Sequence, residues 1–360
     1  MPHSDGRHLA KIRQQRHLQR GINLSHWFAQ TDQLNARHFA EFIVADDFRL
    51  LQSLGLDHVR FTINFAPFIQ PQNPADLSAD FFVQLDRAVA LIHDAGLAVI
   101  LDFHPDDDYK QALQDDPAAA RDFVRFWSAY AARLAATDPE RTYFEILNEP
   151  LFTDHGAWQQ LQEQALLAIR AQAPAHTLIV SGTKWSGLYE LLEMKKFPDD
   201  NLVYNFHFYH PMQLTHQGAT WWHKAGAADL RNVSYPSSPE SVLPLASQAA
   251  SEAARQLLLE YGAERWDAGA IDREFAKAAA WARQHDVTLT CNEFGVYKKF
   301  VARDGARARW LADVVAVSAR YHIGWTMWDY CGDFALVEGP ADKRELNREI
   351  AKALGLLVKP

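Results

Sequence analysis

Eight short apolar runs recur along this chain, each separated from the next by a longer amphipathic segment. The runs are Gly21–Leu24, His58–Ile63, Leu97–Phe103, Thr142–Leu147, Thr177–Val180, Leu202–Phe206, Val287–Cys291 and Gly324–Trp328. Continuously apolar runs of this length suit strands buried on both faces, as in parallel sheets. The segments between them carry helix punctuation. Asp46–Leu54 and Ala79–Ala95 each end at a glycine, Gly55 and Gly96, the residue best suited to the left-handed turn that stops a helix. Asp116-Pro117 reads as a cap and first-turn proline, followed by an apolar face of Phe123, Phe126, Trp127 and Tyr130. Further helices are expected over Ala157–Gln172, Leu188–Met194, Ile271–Gln284, Arg307–Arg320 and Lys343–Leu354. Alternating strands and helices predict an α/β fold, a (β/α)8 barrel. A doubly wound nucleotide-binding sheet would want a Gly-rich turn after its first strand, and no G-x-G-x-x-G occurs.

A length of 360 residues could hold two domains, but α/β barrels often run this long as one. A single catalytic domain over 1–360 is expected, with its core at about 20–356 and residues 1–19 as a polar extension. One connection breaks the pattern. The segment from Pro211 to Gly269 is too long for an ordinary barrel loop, and such loops are usually functional.

Composition narrows the function classes. The net charge of −9 argues against a nucleic-acid partner, which would need a basic face. No stretch is long and apolar enough to span a bilayer. The basic, polar N-terminus has no apolar signal-peptide core, which fits a cytoplasmic protein or one read without its export signal. Cys291 and Cys331 cannot form a disulfide framework, and buried free thiols are expected. Aromatic residues make up 12% of the chain, a supply of flat rings on which sugar faces could stack.

Barrel enzymes carry their chemistry at the C-terminal ends of strands. Read there, the sequence offers Arg60 on the second strand, Asp102-Phe103-His104 after the third and Asn148-Glu149-Pro150 after the fourth. The sixth offers His207-Phe208-Tyr209-His210, the seventh Asn292-Glu293-Phe294-Gly295 and the eighth Trp328-Asp329-Tyr330. Two glutamates facing a barrel mouth cost stability, which invites a functional reading. Glycoside hydrolysis needs such a pair, one to protonate the leaving oxygen and one to attack the anomeric carbon or activate water.

On these residues the chain resembles glycoside hydrolase family 5. The family's eight recurring active-site residues match Arg60, His104, Asn148, Glu149, His207, Tyr209, Glu293 and Trp328, in order and on the matching strands. The resemblance spans Gly21 to Trp328 and implies a retaining double displacement. Glu149 would be the general acid/base and Glu293 the nucleophile. Arg60 and Tyr209 would hold Glu293, Asn148 would meet the sugar 2-hydroxyl, and His104 would contact the same sugar. His207 would tune Glu149, and Trp328 would form the sugar's floor. One departure stands out: Pro105 follows His104 where many members carry a second histidine.

The surroundings leave choices open. Trp27 and Trp185, which follow strands, are expected to be sugar platforms, and Trp221 and Trp222 on the long loop are candidates for the same role. A metal cluster of His104, His207 and His210 with Asp102, Asp106 or Asp108 is a rival, but metal-dependent barrels usually open with His-x-His on the first strand, and here it reads Ser25-His26-Trp27. Asp106-Asp107-Asp108 reads as a solvated loop. No metal and no cofactor are expected. The segments Asn205–Tyr209 and Thr215–Gly218 look most like cellulase-type members, so the expected activity is endo-β-1,4-glucanase on a β-linked polysaccharide. Mannanase, xyloglucanase and β-1,3-glucanase are the alternatives within the family, and a non-catalytic carbohydrate-binding barrel is the alternative outside it. A monomer, secreted or periplasmic like other members, is expected.

Overall fold

The computed structural model of the protein describes residues 3–358 except residues 71 and 78. The eight short apolar runs become strands β1 (Arg20–Asn23), β2 (His58–Ile63), β3 (Ala98–Phe103), β4 (Thr142–Glu145), β5 (Leu178–Ser181), β6 (Leu202–His207), β7 (Thr288–Glu293) and β8 (Gly324–Met327). They pair in parallel and in chain order, and β8 closes on β1 with Arg20 opposite Trp325. The result is a closed (β/α)8 barrel with a helix following each strand.

Strand alternation sorts residues into two populations. Val59, Phe61 and Ile63 of β2, with Val99, Leu101 and Phe103 of β3, join the large apolar layer shared with the helices. Ala98, Ile100, Tyr143, Ile179 and Val203 form a separate cluster inside the barrel. Further along the same inward rows stand Arg60, Asp102, Glu145 and Asn205, all buried. The interior is therefore apolar at the N-terminal end and polar at the C-terminal end.

The polar N-terminus departs from the expected extension. His3–His17 is a helix, and its Ala10, together with the following Leu18, packs into the interior cluster from below. Arg13 donates to Glu140, the Thr177 hydroxyl and the Ala175 carbonyl, and Gln14 donates to the Leu289 and His322 carbonyls. The helix closes the barrel floor mainly through these polar contacts, so no apolar stripe marked it in the sequence.

At the other end, the helix expected over Lys343–Leu354 is shorter. Glu345–Leu346 pairs antiparallel with Val337–Glu338, and the helix runs only over Arg348–Ala353, capped by the Asn347 side chain accepting from the Ile350 N–H. The segment after β6 is not structureless. It holds helices Met212–Thr215, Pro239–Ala246 and Glu252–Glu264 around a buried set that includes Val233, Tyr235, Val242, Leu257 and Tyr261. Both cysteines are free thiols. Among the described residues no helix is long and apolar enough to cross a membrane.

Candidate active site

Arg60 organises the polar end of the barrel. It is fully buried, and β2 points it inward among five groups from four other strands or their ends. Its Nε and Nη2 donate to the two oxygens of Glu145, both at 2.8 Å. Nη2 also donates to Asn148 Oδ1 at 2.8 Å and lies 3.0 Å from Asp102 Oδ2. Nη1 donates to Asn23 Oδ1 at 2.9 Å and to Glu293 Oε1 at 2.6 Å. Burial opposes a charge here, but three carboxylates around one guanidinium outweigh it, and Arg60 stays a cation.

One cation cannot satisfy three buried anions. Asp102 and Glu145 both pair with Arg60, yet burial pushes both carboxyls up, Asp102 to about 7. Asn205 and Asn292 add N–H donors to Glu145 at 3.2 Å and 2.8 Å. Asp102 Oδ2 also accepts from His104 Nδ1 at 2.8 Å. Burial lowers His104 to about 3, so its ring is neutral and Nε2 is left as an acceptor. That nitrogen faces the Asn148 amide at 3.2 Å.

The two glutamates leave this network in different ways. Glu293 ends β7 and is held by Arg60 and by the Tyr209 hydroxyl, which donates to Oε2 at 3.0 Å. Glu149 lies just past β4 in the left-handed region, at φ 46. A non-glycine residue costs about 1–2 kcal/mol there, and the local turn turns its side chain away from Arg60. Its Oε1 meets His207 Nδ1 at 2.9 Å, and the same nitrogen is 3.6 Å from Glu293 Oε2. Burial drives His207 down to about 4, so the ring is neutral. Burial also pushes the Glu149 carboxyl up, opposed first by Lys110 and then by His104 and Arg60. One carboxyl thus sits in a proton-holding environment while the other receives a charged guanidinium and a phenol.

Glu149, His207 and Glu293 present one ligand atom each within 4.8 Å of one another, the only such trio found among the described residues. It differs from the rival cluster drawn from the sequence. His104 is turned to Asp102 and Asn148, exposed His210 stacks on Trp266, and Asp106 caps the helix Asp107–Asp115 by accepting from the Tyr109 N–H. The three aspartates are therefore a helix start rather than a loop.

The cellulase family, glycosyl hydrolase family 5, matches residues 20–333, from the first residue of β1 to beyond β8. The chain belongs to this family. It is a glycoside hydrolase of the cellulase type, and all eight residues read from the resemblance line the C-terminal end of its barrel. Endoglucanase C of Acetivibrio thermocellus is 27% identical over 341 residues, covering 93% of this chain and 97% of the relative. Endoglucanase 3 of Fibrobacter succinogenes is 24% identical over 95% of this chain and 53% of its own length. The crystal structure of endoglucanase Cel5A from Thermotoga maritima superposes with a TM-score of 0.78 at 24% identity, covering 96% of this chain and 99% of that one.

The tryptophans divide. Trp27 is corrected: it is 1% exposed, stacks on Phe61 and donates to the Phe39 carbonyl, so it is core and cannot meet a sugar. Following a strand says nothing about which face of the wall a ring takes. Trp185 is 60% exposed on the turn after β5, tied by its N–H to the Pro150 carbonyl beside Glu149. Trp221 is 46% exposed and stands edge-on to Tyr297 and His216. Trp222 is half-buried against the core. Trp328 is buried to 8% and stacks on His104 with centroids 5.6 Å apart.

Sequence reasoning gave no role to Glu145, Asn23, Asn205 or Asn292. The signal was present: a charge or amide inside a strand buried on both faces needs a partner in the barrel interior. It also missed Lys110, a lysine 4% exposed on the helix after β3.

Proposed function

We propose that this family 5 enzyme is a retaining endo-β-1,4-glucanase. The observation that carries the reading is the approach of Glu149 and Glu293, whose nearest oxygens lie within 4.8 Å. Retaining enzymes hold their carboxyl groups ~5–5.5 Å apart, while inverting ones need ~6.5–9.5 Å to admit a water between. Glu293 attacks the anomeric carbon as Glu149 gives its proton to the leaving oxygen. Glu149 then takes a proton from water, which attacks the same carbon and releases Glu293. Arg60 and Tyr209 hold Glu293 aimed, and His207 keeps Glu149 placed.

The test is a pair of variants. Glu293→Gln abolishes turnover of every substrate. Glu149→Ala spares activated aryl glycosides, whose leaving groups need little protonation. Azide restores part of its rate and gives a β-glycosyl azide. An α-azide, or the two variants exchanging behaviour, would sink the assignment.

A second reading within the family is mannan. T. maritima Cel5A, similar in fold, has been crystallised in complex with mannotriose as well as cellobiose. Parallel assays on carboxymethyl cellulose and galactomannan separate the two. The enzyme takes a polysaccharide as its sole partner, needs no metal or cofactor, and acts as a monomer. A polymer of that size is met outside the cytoplasm, so a secreted or periplasmic site fits. A chelator that abolished activity would contradict the metal-free reading.

A further inference from the structure

We infer that Gln30, on the loop after β1, is a sugar-binding residue that reads ring hydroxyls jointly with His104; the inference rests on the glycosidase reading above. Four groups converge at that point. His104 Nδ1 donates to buried Asp102, so Nε2 presents a lone pair outward. Two amide nitrogens face that one lone pair, Asn148 Nδ2 and Gln30 Nε2, each at 3.2 Å. Trp328 closes the fourth side by stacking on the His104 ring.

One lone pair cannot serve two donors well, and 3.2 Å is the long end of the range for each. The two donors are not equivalent. Asn148 is fixed, because its Oδ1 accepts from Arg60 Nη2 at 2.8 Å. Gln30 is exposed, and among the described residues its side chain makes no other hydrogen bond. Its backbone, by contrast, is well placed. Gln30 has a left-handed φ of 57, its carbonyl meets His26 Nδ1 at 2.8 Å, and the preceding Phe28 and Ala29 are buried. The loop thus holds the Cα firmly and leaves the amide free to change partners.

A sugar hydroxyl both donates and accepts. Set between the two side chains, it donates to His104 Nε2 and accepts from Gln30 Nε2, replacing their long direct contact. Gln30 Oε1 then remains for the adjacent hydroxyl of the same ring. The ligand class is a pyranose with vicinal ring hydroxyls, seated on Trp328.

The test compares the wild type with Gln30→Met, which keeps the side-chain length and removes the N–H, and with Gln30→Ala. The substrates are a parent aryl β-cellobioside and its analogues lacking one ring hydroxyl at a time. Turnover of the parent by the wild type checks the glycosidase reading separately. Both variants are expected to lose about two- to tenfold in kcat/KM on the parent, the size of one neutral hydrogen bond. On each of the two analogues lacking a hydroxyl that Gln30 reads, the gap between wild type and variants narrows, while on the other analogues it stays at the parent value, and Tm is unchanged. A loss of the same factor on every analogue, or wild-type kcat/KM in Gln30→Met, would overturn the role.

Discussion

Arg60 is surrounded by more negative charge than it can balance, and the imbalance gives Lys110 a part in the chemistry. The Lys110 side chain is 5% exposed, and among the described residues its one ion pair, to Asp107 Oδ1 at 3.2 Å, is with a carboxylate that is 73% exposed. One turn further along the same helix face, Gln114 accepts from the Thr153 N–H at 2.7 Å, which straps this helix to the segment just past Glu149. Lys110 is the strongest opponent of the burial that pushes the Glu149 carboxyl up, while Asp107 works in the other direction. The sign follows directly. Removing the cation disfavours the ionised form, so Glu149 holds its proton to higher pH. Lys110→Met should therefore shift the basic limb of the kcat/KM pH profile upward, and Lys110→Arg should leave it near the wild-type position. A basic limb that stayed in place or moved down in Lys110→Met would contradict this. Nothing in the sequence distinguished Lys110 from a solvated helix lysine, because its burial depends on where the helix packs. Arg60, Glu149 and Glu293 were legible because each ends or interrupts a strand, where an unpaired charge has to be explained.

Elements were legible to the extent that their hydrophobic period was complete. β2 was readable to the residue, since both of its faces are buried, and the helices behind the barrel carry full apolar stripes. Loops carry no period, and the tryptophans show the consequence. Trp27, Trp185, Trp221 and Trp222 look alike in the sequence, but packing sends Trp27 into the core and leaves Trp185 and Trp221 exposed. An exposed ring near the scission point can bind sugar units beyond it, by about 1 kcal/mol each. Trp185→Ala and Trp221→Ala are therefore expected to raise KM for long oligosaccharides roughly fivefold, leaving small aryl glycosides and Tm nearly unchanged. Half-buried Trp222 belongs to the other class, and Trp222→Ala should lower Tm while shifting KM for short and long substrates alike. Measuring Tm with KM on one short and one long substrate sorts the three. An unchanged ratio of the two KM values in Trp185→Ala would remove its platform role.

The whole molecule is divided along the barrel axis, with chemistry at one end and closure at the other. Apolar residues fill the lower interior, the N-terminal helix seals them, and buried charges gather above. The catalytic end was written into the sequence as charges at strand ends, but the seal was not, because its contacts are polar and distant in the chain. This division predicts that stability and catalysis respond to different substitutions. Gly324 begins β8 at the sealed end, where an added Cβ would run into the carbonyl oxygen of Leu18 and crowd the Gln14 amide. A backbone carbonyl cannot swing aside as a side chain can, so Gly324→Ala must displace the helix or the strand. Displacing the helix weakens its cover over Ala98, Ile100, Tyr143, Ile179 and Val203 and strains the Arg13 contacts with Glu140 and Thr177. A loss of about 2–3 kcal/mol is expected, or several degrees in Tm for a chain of this size. The pairing of β8 with β1 and β7 still holds the upper strand, so kcat/KM at 25 °C should stay within about twofold. Glu293→Gln should do the reverse. It removes one of three carboxylates sharing Arg60, so activity is lost while Tm holds or rises. Thermal melts and kinetics on both variants decide the matter, and a Gly324→Ala protein with wild-type Tm but impaired turnover would contradict the division.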